Sequence, residues 1–194
     1  MRQQLTDPLR FFAAFLAHPR QVGAVLPTSR STVRNMLDLA DVPAADLVVE
    51  LGAGTGVQTG EILARLRPGA RLVAVEIDPG LSALLERRYA GDERLRVVTD
   101  SAENVSAYLD GQRADVLVSA IPFTSLDGKL RQRILDVLPG LLTPQGVLVL
   151  IQYSPLLMGE LRRRFRSVRW RITPWNVPPA LLFACSQRDD GGTD

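Results

Sequence analysis

Apolar residues follow two alternating patterns from residue 46 onward. Short continuous apolar runs are typical of strands that are buried on both faces of a parallel sheet. Between these runs, apolar residues recur three or four positions apart, which is typical of amphipathic helices. The pattern predicts strands at 47–51, 71–77, 95–99, 114–119 and 147–153 and helices at 57–66, 81–89, 102–109, 129–142 and 156–165. Because strands alternate with helices, we expect a parallel sheet with helices on both faces.

The end of this pattern differs, because two β-like runs follow one another without a helix between them. These runs, 168–173 and 180–187, are joined by a proline-rich turn, and residues 143–146 are predicted to form another turn. Strands that are joined by a turn pair antiparallel, whereas parallel neighbours need a longer crossover. The sequence therefore predicts an α/β fold with a seven-stranded, mostly parallel sheet and an antiparallel C-terminal hairpin at one edge.

A short helix is also predicted at residues 9–17, where apolar side chains run almost all the way round. Residues 1–34 carry five arginines against one aspartate. An apolar helix beside basic residues can lie among the headgroups of an anionic membrane. The alternative is that this helix packs on the sheet as a core element. The candidate membrane-binding residues are Arg10, Phe11, Phe12, Phe15, Leu16 and Arg20.

These patterns divide the chain into three parts. Residues 1–34 hold the amphipathic helix and a lid segment, residues 35–188 form the main domain, and residues 189–194 are expected to be a flexible tail. At the boundary of the first two parts, Thr28 or Ser29 can cap a helix that runs through Leu37.

Composition excludes several classes of protein. With 194 residues, 46% of them hydrophobic, and a net charge of +2, the chain suits a folded domain. A single cysteine, Cys185, excludes an internal disulfide framework and fits a reducing compartment. Cys185 and the single histidine, His18, are too few for a His/Cys metal site, so we expect no metal. No apolar run is long enough to cross a bilayer and no cleavable leader is evident, so we expect a cytoplasmic protein.

Charge is distributed unevenly along the chain. Residues 160–171 contain six arginines against one glutamate, whereas residues 41–110 contain seven arginines against twelve acids. Basic segments attract the phosphates of lipids or nucleic acids. The alternative is that these arginines form solvated helix faces.

Three predicted strands end in residues that suit an adenosine ligand. The first strand ends near Glu50, and the loop after it has glycines at 52, 54 and 56, which can approach a ligand without Cβ clashes. Glu76 ends the second strand and Asp100 follows the third, where acids can accept hydrogen bonds from ribose hydroxyls and from an adenine amino group. Because the carboxyl ends of parallel strands meet at one edge, these residues predict an adenosine pocket.

The spacing and charge of the glycine loop indicate which adenosine ligand it takes. The glycines are spaced G-x-G-x-G, not G-x-G-x-x-G as in dinucleotide folds, and Glu50 suits an ammonium group better than a pyrophosphate. Residues 46–187 resemble the class I S-adenosylmethionine-dependent methyltransferases, which implies a Rossmann-like fold and S-adenosylmethionine as the cofactor; a nicotinamide enzyme is the alternative. The cofactor-binding residues that this resemblance implies are Glu50, Gly52, Ala53, Gly54, Gly56, Glu76, Ile77, Asp100, Ser101, Ala102 and Ser119.

The loop after the fourth predicted strand bears on the substrate. It reads Ser-Ala-Ile-Pro-Phe at residues 119–123. It is similar to the Asn-Leu/Ile-Pro-Tyr/Phe loop of the ribosomal RNA adenine dimethyltransferases, except that Ala120 stands where the Asn would fall. An alanine side chain cannot accept a hydrogen bond from a nucleobase amine, so this departure argues against a nucleic-acid substrate.

The same loop resembles that of the bacterial phospholipid N-methyltransferases of the soluble, membrane-associating type, which have Ser-Gly/Ser-Leu-Pro here. Residues 23–30, 152–153 and 176–180 and the aromatic N-terminal helix also match that family. The resemblance implies stepwise N-methylation of phosphatidylethanolamine towards phosphatidylcholine, at the inner face of the cytoplasmic membrane, by a monomer or weak oligomer. The alternatives are a methyltransferase that acts on RNA or another nucleobase and, third, a non-enzymatic binding module of this fold. The candidate substrate-binding residues are Ser29, Arg30, Ala120, Ile121, Pro122, Phe123 and Trp175.

Methyl transfer to such an amine needs no metal, but the amine must first lose a proton. An alkylammonium pKa of about 10 leaves little free amine at neutral pH. Tyr153 and His18 are the candidate catalytic residues; the alternatives are core packing for Tyr153 and a cation at a helix C-terminus for His18. Phe123, Tyr153 and Trp175 are candidates for an aromatic cage around the methylated cation.

Overall fold

The computed structural model describes residues 29–173 and 179–188, in which seven strands form one sheet. The strands are β1 (Leu47–Leu51), β2 (Arg71–Glu76), β3 (Leu95–Thr99), β4 (Ala114–Ser119), β5 (Leu142–Gln152), β6 (Ser167–Thr173) and β7 (Ala180–Ser186). The α-helices are α1 (Arg30–Leu37), α2 (Val57–Leu63), α3 (Pro79–Arg88), α4 (Gly128–Leu141) and α5 (Met158–Arg164). Short 3-10 helices cover Val42–Ala44, Ala102–Tyr108, Phe123–Ser125 and Pro155–Leu157.

The strand order is β3-β2-β1-β4-β5-β7-β6, which confirms the predicted mostly parallel sheet with a C-terminal hairpin. β1 to β5 are parallel to one another where they pair, and β7 pairs antiparallel with both β5 and β6. All of β1 is buried, because helices cover both faces of the sheet. The order of strands reverses between β1 and β4, and sheets of this kind bind ligands beyond the carboxyl ends of the strands at that point.

The core has one apolar layer on each face of the sheet. On one face, α4, α5 and the 3-10 helix at 102–108 cover a cluster that includes Phe183. On the other face, α1 and α2 cover a cluster that includes Met36 and Ile62. These two layers confirm the predicted packing of helices on both faces.

The start of α1 lies at the same edge of the sheet as the carboxyl ends of the parallel strands. Ser29 caps α1, as predicted, by accepting a hydrogen bond from a backbone amide of the first turn. Ion pairs of 2.8 Å join Arg34 to Glu61 and Asp38 to Arg65. Arg34 and Glu61 lie within α1 and α2, and Asp38 and Arg65 lie just after them, so the two helices run in the same direction. α2 starts beyond the carboxyl end of β1, so α1 starts at that edge too.

β5 begins at Leu142, but residues 143–146 leave the regular ladder, where the sequence predicts a turn. Leu142 pairs with Ala114 and Val147 with Val116, so the residues between them bulge out of the sheet, and regular pairing starts at Val147. A Cβ on Gly146 would lie 2.8 Å from the carbonyl oxygen of Ala114, so this glycine allows the end of the bulge to approach β4 closely. The predicted helices at 102–109 and 156–165 are 3-10 structure in whole or in part, since the first is a 3-10 helix and the second begins as one.

The connection from β1 to α2 depends on Gly56, which has a φ of +83°. A Cβ on this residue would lie 2.6 Å from Cδ2 of Leu85 and 3.2 Å from Cε2 of Tyr89. The Tyr89 hydroxyl also donates a hydrogen bond of 2.8 Å to the Gly56 carbonyl. Glycine is thus required here both for the left-handed backbone and for the close approach of the α3 region.

We expect Gly56→Ala to destabilise the fold more than Gly69→Ala does. Both glycines have a φ of +83°, but nothing lies within 4 Å of a Cβ built on Gly69. Gly69→Ala should cost only the left-handed conformation, about 1–2 kcal/mol, whereas Gly56→Ala adds a steric clash worth about 1–3 kcal/mol more. Urea unfolding gives both free energies, and equal losses would show that the α3 region accommodates the methyl group without strain.

Candidate active site

A cavity of about 260 Å³ opens at the carboxyl edge of the sheet, around the point where the strand order reverses. Its wall combines the glycine loop after β1, the ends of β2 and β3, the loop after β4 and one side of α4. Seven predicted cofactor residues and three predicted substrate residues meet in this wall. The lining residues are Gly52, Gly54, Val75, Glu76, Ile77, Leu81, Asp100, Ser101, Ala102, Ala120, Ile121, Pro122, Leu126, Leu130 and Ile134.

Glu76 is held in a fixed orientation at the end of β2. Its Oε2 accepts a hydrogen bond of 2.8 Å from the Gly54 amide, and its Oε1 accepts one of 3.0 Å from the Asp78 amide. Each carboxylate oxygen keeps a further acceptor position, so this carboxylate can bind two neighbouring hydroxyl groups of a ligand. Ile77 follows it, is 67% exposed, and presents an apolar surface to the cavity.

Glu50 is fully buried beneath the glycine loop. Thr59 Oγ1 donates a hydrogen bond of 2.7 Å to Glu50 Oε2, whereas Oε1 has no partner among the described residues. Burial raises the pKa of Glu50 to about 8, although the hydrogen bond from Thr59 acts in the opposite direction. A buried carboxylate oxygen without a partner is costly, and a ligand ammonium group would supply that partner. The unpartnered carboxylate oxygen of Glu50 therefore fits a cationic ligand at this loop.

Two glycines of the loop have different surroundings. Gly52 has a φ of +76°, and a Cβ there would lie 3.0 Å from Cγ1 of Ile121, so this glycine packs against the loop after β4. Gly54 has a φ of +56°, and nothing lies within 4 Å of a Cβ built on it. The backbone at Gly54 therefore faces open space beside the cavity, where a ligand can approach it.

Asp100 is oriented by three donors after β3. The Ser101 amide (2.6 Å) and Asn104 Nδ2 (2.9 Å) donate to Oδ1, and the Tyr108 hydroxyl donates to Oδ2 at 2.6 Å. These hydrogen bonds, that from Tyr108 most strongly, hold the pKa of the Asp100 carboxyl below its usual range. Asn104 and Tyr108 are not among the predicted site residues. They follow Asp100 by four and eight residues on a helical stretch, and this spacing is the feature of the sequence that could have predicted their contact with Asp100.

The loop after β4 is fixed by two buried side chains. Ser119 Oγ accepts a hydrogen bond of 3.3 Å from the Ile121 amide, and Gln152 Nε2 donates one of 2.8 Å to the Ile121 carbonyl. Ser119 is fully buried, does not line the cavity and orients the loop from behind, and its place beside the cofactor stays a prediction. Gln152 is not among the predicted site residues, although it is the second anchor of this loop.

Phe123 is wrong as a wall of the aromatic cage. The 3-10 helix that begins at Phe123 turns its ring into the core, where it is fully buried. The predicted cofactor residues Glu50, Ala53 and Gly56 also lie behind the cavity wall and not in it. Glu50 belongs to β1 beneath the glycine loop, whereas Ala53 and Gly56 are part of the loop itself.

The other predicted site residues do not line the cavity. Tyr153 is half-buried after the end of β5 and packs against the cluster on the α1 and α2 face. Ser29 caps α1, and Arg30 is exposed beside it. His18, Trp175, the predicted helix at 9–17 with its membrane-binding residues, and the tail at 189–194 lie outside the described residues.

Within residues 29–173 and 179–188, no group of three or more His, Cys, Asp or Glu side chains is arranged to hold a metal ion. In the same ranges, none of the helices is long and apolar enough to span a bilayer. Burial raises the pKa of the Cys185 thiol to about 12, so this cysteine is not a nucleophile near neutral pH. The described cavity wall itself presents carboxylates, backbone groups and apolar side chains.

Comparison with known proteins identifies the family. Residues 21–143 match the family model described as ribosomal RNA adenine dimethylase. The chain belongs to this family. Its fold matches that of the N-methyltransferase NodS from Bradyrhizobium japonicum WM9 in complex with S-adenosyl-L-homocysteine, with a TM-score of 0.66 and 14% identity, over 80% of this chain and 85% of that one. The protein is a class I methyltransferase with S-adenosylmethionine as its cofactor, as predicted, and the nicotinamide alternative is wrong.

Two relatives of the methyltransferase differ in what they methylate. The ornithine lipid N-methyltransferase of Singulisphaera acidiphila is 31% identical over 189 residues, which cover 93% of this chain and 96% of that protein. The ribosomal RNA small subunit methyltransferase A of Moorella thermoacetica is 33% identical over 160 residues, which cover 78% of this chain but 48% of that protein. The chain therefore aligns with nearly all of the lipid enzyme and with about half of the RNA enzyme.

We expect the stability of the methyltransferase to fall as the pH rises from about 4.5 to about 8, because of Glu50. In this window the unfolded chain has released the Glu50 proton while the folded protein keeps it. Each pH unit should therefore lower the free energy of unfolding by up to about 1.4 kcal/mol. Glu50→Gln keeps the shape of the side chain but cannot titrate, so its stability should change less. Urea unfolding of both proteins without cofactor checks this, and parallel pH profiles would contradict it.

Proposed function

We propose that this methyltransferase methylates the amine of a membrane lipid, with phosphatidylethanolamine as the substrate and its mono- and dimethyl derivatives as intermediates towards phosphatidylcholine. The observation that carries the proposal is the apolar loop after β4. Ala120, Ile121 and Pro122 line the cavity, and none of these side chains can accept a hydrogen bond. A pocket for a nucleobase amine needs such an acceptor.

An apolar loop suits an amine that is methylated several times. Each methyl group that is added removes one N–H donor from the nitrogen and increases its apolar surface. A site that held the amine through side-chain acceptors would lose partners at each step and leave them buried and unpaired. Apolar walls gain contact instead, so the loop at 120–122 favours an acceptor nitrogen that changes from a primary amine to a quaternary ammonium group.

The full-length alignment with an ornithine lipid N-methyltransferase supports a lipid as the carrier of the acceptor nitrogen. The second candidate is methylation of an RNA adenine, which the family match over residues 21–143 favours. Ala120 argues against that second candidate, because it removes the side-chain acceptor from the position next to the cavity.

The cofactor supplies an electrophilic methyl group on a sulfonium. We propose that Glu50 pairs with its ammonium group behind the glycine loop, and that Glu76 accepts hydrogen bonds from the ribose hydroxyls. Ile77 offers an apolar surface to the adenine, and Asp100 with Ser101 and Ala102 forms the opposite side of that pocket. Gly52 and Gly54 allow the backbone to approach the methionine part. The chain's contribution to the rate is then positioning and exclusion of water.

The acceptor amine must be neutral to react, so a group of the protein has to take its proton. Tyr153 follows β5, the strand next to the loop after β4, and is the candidate within the described residues. His18 is the candidate outside them. Tyr153 and Trp175 remain the proposed aromatic contacts of the methylated cation, now without Phe123. Ser29 and Arg30, at the same edge of the sheet, are the proposed contacts for the lipid phosphate.

We further propose that the enzyme works as a peripheral protein on the inner face of the cytoplasmic membrane. The residues proposed to reach anionic lipid are those of the N-terminal helix and its flanks, Arg10, Phe11, Phe12, Phe15, Leu16 and Arg20. The start of α1 at the carboxyl edge supports this arrangement, because the chain before Ser29 joins the fold at the edge that holds the cavity.

Methyl-labelled S-adenosylmethionine should label phosphatidylethanolamine in vesicles, and separation by headgroup should show mono-, di- and trimethyl products in order. Ornithine lipid vesicles and small-subunit ribosomal RNA serve as parallel acceptors. If only ornithine lipid is labelled, the proposed acceptor is still a lipid amine, but the substrate is ornithine lipid and not phosphatidylethanolamine. Label in RNA alone would refute the proposed function.

Glu76→Ala should weaken binding of S-adenosylhomocysteine tenfold or more, because it removes charge-assisted hydrogen bonds worth about 1.5–3 kcal/mol. Isothermal titration calorimetry measures the affinity, and circular dichroism shows whether the variant is folded. Glu86→Ala is the matched control, since Glu86 is an exposed carboxylate on α3 outside the cavity wall. Equal affinities of a folded Glu76→Ala and the control would remove Glu76 from the site.

A further inference from the structure

Three large apolar side chains outside the cavity wall are exposed, on the β6 side of the sheet. Leu156 is 79% exposed, Trp170 47% and Ile172 58%; we call these three residues the β6 strip. Trp170 and Ile172 are two positions apart on the edge strand β6, so they lie on the same face of the sheet. It is the face on which Val168 packs against the core. Exposed apolar residues that cluster in this way mark interaction surfaces.

The register of the sheet places the β6 strip at the edge that also holds the active site. Ile172 pairs with Leu181 of β7, and Leu181 pairs with Gln152 at the end of β5. Leu156 follows Gln152 by four residues, in the 3-10 helix before α5. β6 lies three strand spacings from β4, which is about 14 Å. The β6 strip and the loop after β4 therefore border the same edge within reach of one bilayer surface.

The chain between Leu156 and Ile172 has an excess of positive charge. Residues 160–171 contain six arginines and one glutamate. Glu160 pairs with Arg163 and Arg164 of α5, and Arg162 and Arg166 are exposed beside them. Aromatic and aliphatic side chains insert among lipid headgroups, and nearby arginines are attracted to anionic lipid.

Arg169 and Arg171 alternate with Trp170 and Ile172 along β6 and therefore project from the other face of the sheet, where Arg171 donates a hydrogen bond to the Asn35 carbonyl. The basic helix α5 packs on the same face as the strip. Exposed apolar residues beside a basic helix are complementary to an anionic bilayer.

We propose that the β6 strip and its neighbouring arginines dock the enzyme on an anionic lipid bilayer. The choice of a bilayer as the partner rests on the proposed function, and the contact is additional to the one proposed for residues 10–20. A second copy of this chain is a poorer occupant, because pairing of two β6 edges would bring Arg169 and Arg171 of both copies close together. Docking through the β6 strip turns the loop after β4 towards the headgroups.

Fluorescence of Trp170 tests this contact, in a Trp175→Phe background that leaves Trp170 as the single tryptophan. The probe is vesicles of phosphatidylcholine and phosphatidylglycerol with brominated acyl chains, which quench tryptophan only at short range. We expect the emission of Trp170 to shift to shorter wavelength and lose intensity on these anionic vesicles. Neutral brominated vesicles should change it little, because the electrostatic attraction is then missing.

In the otherwise native chain, Trp170→Ser combined with Ile172→Ser should weaken partition onto the anionic vesicles about tenfold, because two apolar side chains can no longer insert. Leu84→Ser is the matched control, since Leu84 is 37% exposed on α3 and lies outside the strip. The control should partition like the wild type. All variants should bind S-adenosylhomocysteine with wild-type affinity, which shows that they are folded.

Unquenched Trp170 in the presence of brominated anionic vesicles would overturn the proposal, even if another segment holds the protein on them. A dimer that the double variant dissociates, or an RNA that shifts Trp170 emission when vesicles do not, would also overturn it. The outcome is separable from that of the proposed function. Lipid methylation with unquenched Trp170 refutes only the docking surface, and quenching without lipid methylation refutes only the substrate.

Discussion

The hydrogen bond from the Gly54 amide to Glu76 is the interaction on which the active site depends. At 2.8 Å, it joins the glycine loop after β1 to the end of β2, and the Asp78 amide fixes the second carboxylate oxygen. The same carboxylate thus sets the position of the loop and presents acceptors to the cavity. This arrangement is possible because β1 and β2 are parallel neighbours that end at one edge.

Glu50 is a buried acid whose negative charge is costly in the absence of a cation. Its carboxyl group is buried with one unpartnered oxygen, and the pKa of about 8 expresses the energetic cost of charging it there. A ligand ammonium group would offset that cost. Glu50 lowers the stability of the protein without cofactor when it is charged, and its carboxylate would be stabilised when a cationic cofactor binds.

The loop after β4 shows how the same architecture can serve different acceptors. Ser119 and Gln152 hold the backbone of Ile121 from both sides, so the position of the loop is set by buried polar groups. The side chains of residues 120–122 line the cavity and make this part of the wall apolar. Ala120 leaves the wall without a side-chain acceptor at that position. This separation fits a family whose relatives carry names of both RNA and lipid methyltransferases.

The sequence by itself determined the alternation of strands and helices, the C-terminal hairpin and the meeting of the glycine loop, Glu76 and Asp100. These follow from apolar periodicity and from positions at strand ends, which are local properties of the chain. Only the tertiary structure decided that Phe123 belongs to the core, that Ser119 lies behind its loop, and that residues 143–146 form a bulge within β5 which Gly146 closes against β4. In each case the outcome depends on burial and side-chain direction, which are set by packing against residues distant in sequence.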